Sequence, residues 1–231
     1  MTAVGSYLPA NVVTNEALSS FVDTDDAWIR RRTGIAQRHL VAEGETTADL
    51  ACNAAAKALA NAGLTGDDID IIIIATTTPD NTFPSTATKL QHMIEAKDAI
   101  AFDIQAVCAG FVYALDIADA MLQSGRGRRA LVIGAESFSK LLDWEDRTTC
   151  VLFGDGAGAV VLSAEEGAGD SADRGILANC IHSDGRHHDL LYVDGGPSST
   201  QSVGDLRMEG PEVFKHAVRN LASVCSEALD L

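Results

Sequence analysis

Apolar positions along the chain follow two periods, and the two alternate. The runs DIDIIIIATTT, AIAFDIQAV, RALVIGAES and GAGAVVLSA are short, rich in β-branched residues and read as strands. The centre of the first is apolar on both faces, as a strand covered from both sides must be. TTADLACNAAAKALANAGL precedes the first of them, STATKLQHMIEA and AGFVYALDIADAMLQSG lie between the first three, and all three read as helices, with Gly63 and Gly125 as the stops of the first and third. The alanines of the first helix predict close packing. Nearer the start, NVVTNEALSSF and DTDDAWIRRRTG predict short helices; the second has acids in its first turn, arginines in its last and Gly34 as its stop. Such alternation implies right-handed crossovers and an α/β fold with a mostly parallel sheet covered on both faces.

The pattern changes after residue 164. Residues 165–174 are small, polar and glycine-rich, and read as a linker between a first part, 1–164, and a second, 175–231. The second part offers ILANCIHSD and LLYVDGG as strands and PEVFKHAVRNLASVCSEALDL as a helix. Two strands and a helix bury too little to fold alone, so this part packs on the first or continues further.

Composition narrows the partners. Thirty-three acids against 17 lysines and arginines give a net charge of −16, which repels phosphate backbones and anionic lipid; nucleic acid and membrane are not expected partners. The longest apolar run has the length of a buried strand, not of a membrane span. The five cysteines, Cys52, Cys108, Cys150, Cys180 and Cys225, are scattered and odd in number, which fits a reducing compartment and a cytoplasmic location.

Cys52, Cys150, Cys180 and Cys225 sit within apolar helices or strands and read as core. Cys108 differs, because in AFDIQAVCAGFVYAL it falls between a buried strand and a buried helix. A reversal there lifts its side chain above the sheet edge and aims the helix N-terminus at the sulfur, which favours the reactive thiolate. On this ground alone, a small core residue and a nucleophile remain equally open.

The surrounding segments resemble, in order, those of the β-ketoacyl-acyl-carrier-protein synthase III family: GSYLP, DAWIRRRTGIAQRH, TTTPDNTFPSTATKLQ, DIQAVCAGFVYAL, FGDGAGAVVL and MEGPEVFKHAV. The resemblance spans essentially the whole chain. It implies a thiolase-like fold of stacked αβαβα layers, with 1–164 the nucleophile-bearing half and 175–231 the start of a second half that is incomplete here. It makes Cys108 the nucleophile that takes an acyl group from coenzyme A, before a malonyl-acyl-carrier protein loses CO2 and attacks the acyl thioester. No cofactor is implied beyond acyl-CoA as substrate, and a homodimer is. Dividing one hard step into two through a covalent intermediate suits a cysteine.

The resemblance extends to other side chains. Trp28 and Arg32, four apart on one helical face, would form the mouth of the coenzyme A tunnel, with Trp28 on the adenine; Arg147 would be a second nucleotide contact. The competing reading of the first two is an exposed stacked pair, and that of Arg147 is pairing with Glu145 or Asp146. Phe83, in a loop too polar to be core, would close the partner subunit's acyl pocket, or else pins its own loop. Phe153 would line the pocket or is ordinary core. Lys215, Arg219 and Arg207 offer a basic island for carrier-protein docking, or a solvated charged face. GDGAGA leads into a strand and lacks nucleotide-loop spacing, so tight packing is the expectation. HSDGRHHD has three histidines but no second ligand cluster, and no metal site is expected.

The histidine and asparagine segments that the family uses for decarboxylation do not occur among these residues. His39, His92, His182, His187, His188 and His216 lie in other contexts. The expectation is a chain representing roughly the first two-thirds of an enzyme. An acyltransferase working without decarboxylation, and an inactive fragment with a structural or binding role, are the alternatives.

Overall fold

In chain order the computed structural model, which describes residues 1–167 and 173–231, contains β1 (Ala3–Tyr7), β2 (Asn11–Thr14), α1 (Asn15–Leu18), α2 (Asp26–Thr33), β3 (Gln37–Leu40), α3 (Thr47–Ala62), β4 (Ile71–Ala75) and α4 (Thr86–Met93). There follow β5 (Ile100–Ile104), α5 (Gly110–Gln123), β6 (Arg129–Glu136), β7 (Gly156–Ser163), β8 (Leu191–Val193), β9 (Leu206–Met208) and α6 (Gly210–Leu229). Contacts divide the chain into two interleaved units. The first is Met1–Ala10, Val41–Ser137 and Asp155–Asn179; the second is Asn11–Leu40, Phe138–Gly154 and Cys180–Leu231. The middle of the expected linker, 168–172, lies outside the described residues.

The first unit is built on a five-stranded sheet in the order β1-β7-β6-β4-β5. β4 pairs in parallel with β5 and β6, while β7 runs antiparallel to β6 and to β1. The parallel character is therefore confined to the three strands joined by helical crossovers. Ile71–Ile74 have no exposed surface, because alternate side chains enter different layers. Ile72 and Ile74 join Leu50, Ala54 and Leu90 of α3 and α4, whereas Ile71 and Ile73 join Ala114 and Ala118 of α5. The expected close packing of α3 is direct: a Cβ on Gly5 of β1 would run into the Ala54 carbonyl oxygen and the Ala58 nitrogen. Thr46 and Asp49 form a capping box at its start, and Gly63 ends it in the left-handed conformation at φ +68°.

The second unit contains the antiparallel pairs β2–β3 and β8–β9 and a separate core of Leu18, Val22, Ile29, Leu142, Val151 and Leu206. Arg38 of β3 is buried here. Its Nη1 donates to the Val13 carbonyl, its Nη2 to Asn15 Oδ1 and the Val151 carbonyl, and its Nε has no partner. Gly154 makes the expected tight contact, since a Cβ there would stand 3.1 Å from Arg38 Cβ.

Three local expectations change. NVVT, expected in a helix, is strand β2, because it pairs with β3 across the chain; only NEAL is helical. ILANCIHSD has no strand, and its Cys180 is half-buried. α6 forms over nearly the expected length, with Pro211 in its first turn, yet buries no residue: Phe214, Val218, Leu221 and Cys225 are exposed. Cys225 is therefore not core. No helix among the described residues is long and apolar enough to cross a membrane.

Candidate active site

β5 carries the chain to the edge of the sheet where β4 and β6 also end, with Ala75 in register with both Ile104 and Gly134. A single 3-10 turn, Val107–Ala109, then reverses it into α5. Val107 adopts φ +49°, a left-handed conformation that costs a β-branched residue roughly 1–3 kcal/mol. Gly110 permits the turn to lie close on β4, since a Cβ there would stand 3.2 Å from Ala75 Cβ. The strain and the close approach together fix Cys108 on an exposed turn.

The start of α5 is unlike those of α2, α3 and α4. Asp25, Thr46 and Ser85 cap those helices with their side chains, whereas no side chain caps α5. Its positive end is left for whatever occupies the space beside Cys108. Burial pushes the Cys52, Cys150 and Cys180 thiols up, with Asp49, Asp146 and Glu227 adding to it respectively. Cys225 is exposed but lies near the C-terminal, negative end of α6. Only Cys108 combines exposure with a helix N-terminus.

Beside this turn, the segment leading from β4 to α4 carries Phe83, which is 83% exposed. Glu136, at the end of β6, accepts hydrogen bonds from the Thr77 N–H (2.7 Å), Thr77 Oγ1 (2.9 Å) and Thr78 Oγ1 (2.7 Å). Thr78 Oγ1 accepts from the Ser137 N–H and is linked to Thr47, which also bonds Ser137. Burial raises the Glu136 carboxyl above its ordinary value, and the threonine donors only partly offset it. Sequence reading passed over this group; the signal was polar TTT ending one strand and Glu-Ser ending another.

In the second unit, Trp28 is half-buried on α2 and two guanidiniums lie over its ring: Arg32 at 4.3 Å and Arg147 at 4.6 Å from the centroid. Arg147 reaches them from a turn tied by Asp146, whose carboxylate accepts from the Thr148 N–H and from the hydroxyls of Thr148 and Thr149. Its own partner is Asp23, through the backbone carbonyl at 2.7 Å and the carboxylate at 3.7 Å, not Glu145 or Asp146. Phe153 packs on Phe138 at 4.6 Å between centroids, within the apolar cluster of this unit.

The three basic residues of the expected island differ in their surroundings. Arg207 is held by Asp194, Asp143 and Asp205, which raise its pKa further. Lys215 pairs with Glu212 at 3.3 Å, and both Lys215 and Arg219 lie exposed on α6. The His187 and His216 rings lie 4.0 Å apart between centroids and are tilted by 39°, and among the described residues no group of three His, Cys, Asp or Glu side chains gathers to hold a metal ion.

Comparison with known proteins identifies the fold and the family. The chain is 48% identical to the crystal structure of 3-oxoacyl-[acyl-carrier-protein] synthase III from Aquifex aeolicus, covering 99% of this chain and 70% of that one at a TM-score of 0.90. It is 31% identical to the priming β-ketosynthase of the R1128 polyketide biosynthetic pathway, with coverage of 96% and 66% and a TM-score of 0.85. The class is that of the thiolase-like α/β acyltransferases. Residues 102–185 match the family described as 3-Oxoacyl-[acyl-carrier-protein (ACP)] synthase III. A relative from Paramagnetospirillum magneticum, named β-ketoacyl-[acyl-carrier-protein] synthase III, is 65% identical over 225 residues, 97% of this chain and 69% of its own length. The chain belongs to the β-ketoacyl-[acyl-carrier-protein] synthase III family of condensing enzymes.

Proposed function

We propose that Cys108 takes an acyl group from acyl-CoA and delivers it to malonyl-acyl-carrier protein in a decarboxylative condensation. The Cys108 thiolate attacks the thioester carbonyl, the C–S bond to coenzyme A breaks, and coenzyme A leaves as its thiolate, which takes up a proton equivalent to the one Cys108 released. Loss of CO2 from the malonyl thioester leaves its electron pair on the α-carbon. That carbon attacks the acyl-cysteine carbonyl, and the Cys108 sulfur leaves. The oxyanion formed in each attack needs preorganised donors, and the uncapped N-terminus of α5 supports this reading. The chemistry is carried by thioesters and a thiol and calls for no cofactor.

Trp28, Arg32 and Arg147 supply the ring and guanidiniums that a nucleotide end requires, and adenine stacking on Trp28 exchanges a cation–π contact for a base contact. Phe83 would close the acyl pocket of a second copy, and Phe153 would line its own. A homodimer is supported by the exposure of Phe83 and by β5, an edge strand with Ile100 at 43% exposure. Carrier-protein docking falls better to Arg219 and to Lys215, which has one exposed partner in Glu212, than to Arg207, which three carboxylates hold. Residues 1–164 correspond to the nucleophile half of the fold, and 175–231 to the beginning of the other. The enzyme would work in the cytoplasm.

The observation that carries the proposal is the exposed Cys108 on a strained turn at an uncapped helix start. Incubation with acetyl-CoA followed by intact-mass analysis and peptide mapping tests it. One acetyl group on Cys108, absent from Cys108→Ala, is expected. Acetylation elsewhere, or none, overturns it.

A further inference from the structure

We propose that Glu136, together with Asp103 and Asp80, is a positioning residue that sets the length of acyl chain accepted, by holding the Phe83 loop in one conformation. The inference rests on the reading of Phe83 as the residue that closes a second copy's acyl pocket.

Residues 76–87 have carboxylate anchors at their start, middle and end. Glu136 of β6 takes the Thr77 N–H and both threonine hydroxyls at the start. Asp80 accepts from the Ala48 N–H at the beginning of α3 (3.0 Å) and pairs with Lys89 of α4 (2.6 Å). Asp103 of β5 accepts from the Thr86 and Ala87 N–H groups (2.6 and 2.7 Å) at the end. α4 already has a side-chain cap, Ser85 Oγ accepting from the Thr88 N–H, so Asp103 adds a second cap from a neighbouring strand. Taking carboxylates out of water is unfavourable unless several donors answer each of them, and all three are so answered.

The effect of these anchors is to present an aromatic side chain to solvent. A loop free to relax would lay Phe83 on nearby apolar surface; this one holds it 83% exposed. β5, which carries Asp103, also runs directly into the turn bearing Cys108. In two copies paired along their β5 edges, the Phe83 loop of one copy and the nucleophile turn of the other would each be fixed to the joined strands, the condition for a fixed distance between an aromatic plug and a reacting sulfur. Glu136 touches no reacting atom in this arrangement. It acts through Phe83.

The test uses the 231-residue chain and two alkylating agents of different length. Cys108 alkylation by iodoacetamide and by N-hexyl iodoacetamide is followed by peptide mapping, and the ratio of hexyl to unsubstituted rates is compared among variants. Phe83→Ala should raise the ratio roughly tenfold, since opening an apolar pocket by several methylenes changes discrimination on that scale. Glu136→Gln should raise it about threefold, and should add nothing in the Phe83→Ala background, as expected of two residues acting through one contact. Thr77→Val, which removes one donor to Glu136, replaces Glu136→Gln should that variant fail to fold. If Phe83→Ala raises the ratio but neither second variant does, or if both rates change together at constant ratio, the positioning role is overturned and the Phe83 reading stands. If Glu136→Gln adds fully to Phe83→Ala, the effect does not pass through Phe83 and the inference fails. An unchanged ratio in Phe83→Ala overturns the acyl-pocket reading and this inference with it.

Discussion

The guanidinium of Arg147 lies 4.6 Å from the centroid of the Trp28 ring while the same arginine is tied to the Asp23 carbonyl at 2.7 Å. The contact is thus a held one, with the cation poised over an aromatic face. Trp28→Ala and Arg147→Ala should each weaken acyl-CoA binding by about 1–3 kcal/mol, through loss of a stacking surface or a phosphate partner. Cys108 alkylation by iodoacetamide should be nearly unchanged in both. Titration calorimetry with acyl-CoA checks the first expectation, and normal affinity in both variants places the nucleotide end elsewhere.

Cys108 and Cys225 are the two exposed cysteines, so they form the informative comparison. They sit at opposite ends of their helices, Cys108 just before α5 and Cys225 in the last turns of α6. Limited labelling with iodoacetamide should modify Cys108 at least several-fold faster. Equal rates would mean that exposure alone governs reactivity.

Glu136 gives a pH dependence of defined sign. Burial raises its carboxyl above the ordinary value of 4.5, so the folded chain binds this proton more tightly than the unfolded chain does. Its contribution to stability is most favourable below 4.5 and declines as pH rises through the folded value. The stability of the native chain relative to Glu136→Gln should therefore fall between about pH 4 and pH 7. Urea denaturation of both proteins at the two pH values measures it; a difference that stays constant or grows contradicts the burial argument.

Gly5→Ala should destabilise the first unit by about 1–3 kcal/mol, because the new methyl meets backbone atoms of Ala54 and Ala58, which have no rotamer to change. A lowered thermal midpoint without loss of secondary structure at 20 °C is the expected result. An unchanged midpoint would show that α3 can shift away from β1.

Much of this was legible in the sequence where burial is two-sided. The four isoleucines of β4 admit one reading, and the cysteine between a buried strand and a helix was visible before any contact was known. NVVT was not legible, since its strand character comes from pairing with β3 and not from its own residues. ILANCIHSD has the composition of a strand but no ladder partner. Arg38 looks like any surface arginine in RRTGIAQRH, and only the fold brings three backbone and side-chain oxygens around it. The Glu136 anchor joins residues 58 and 59 positions apart, a distance over which hydropathy carries no information.

Ala3 of β1 pairs with Val161 of β7, and that pairing places the outermost strand of the sheet. β1 must therefore wait, during synthesis, for the last described strand of its own unit. During that interval its unpaired edge and the alanine face of α3 have no permanent neighbours. A topology with such long sequence separation folds slowly for its size, because the loop must close before the contacts return anything. Interruption of synthesis before Ser163 would leave β1 without its antiparallel partner.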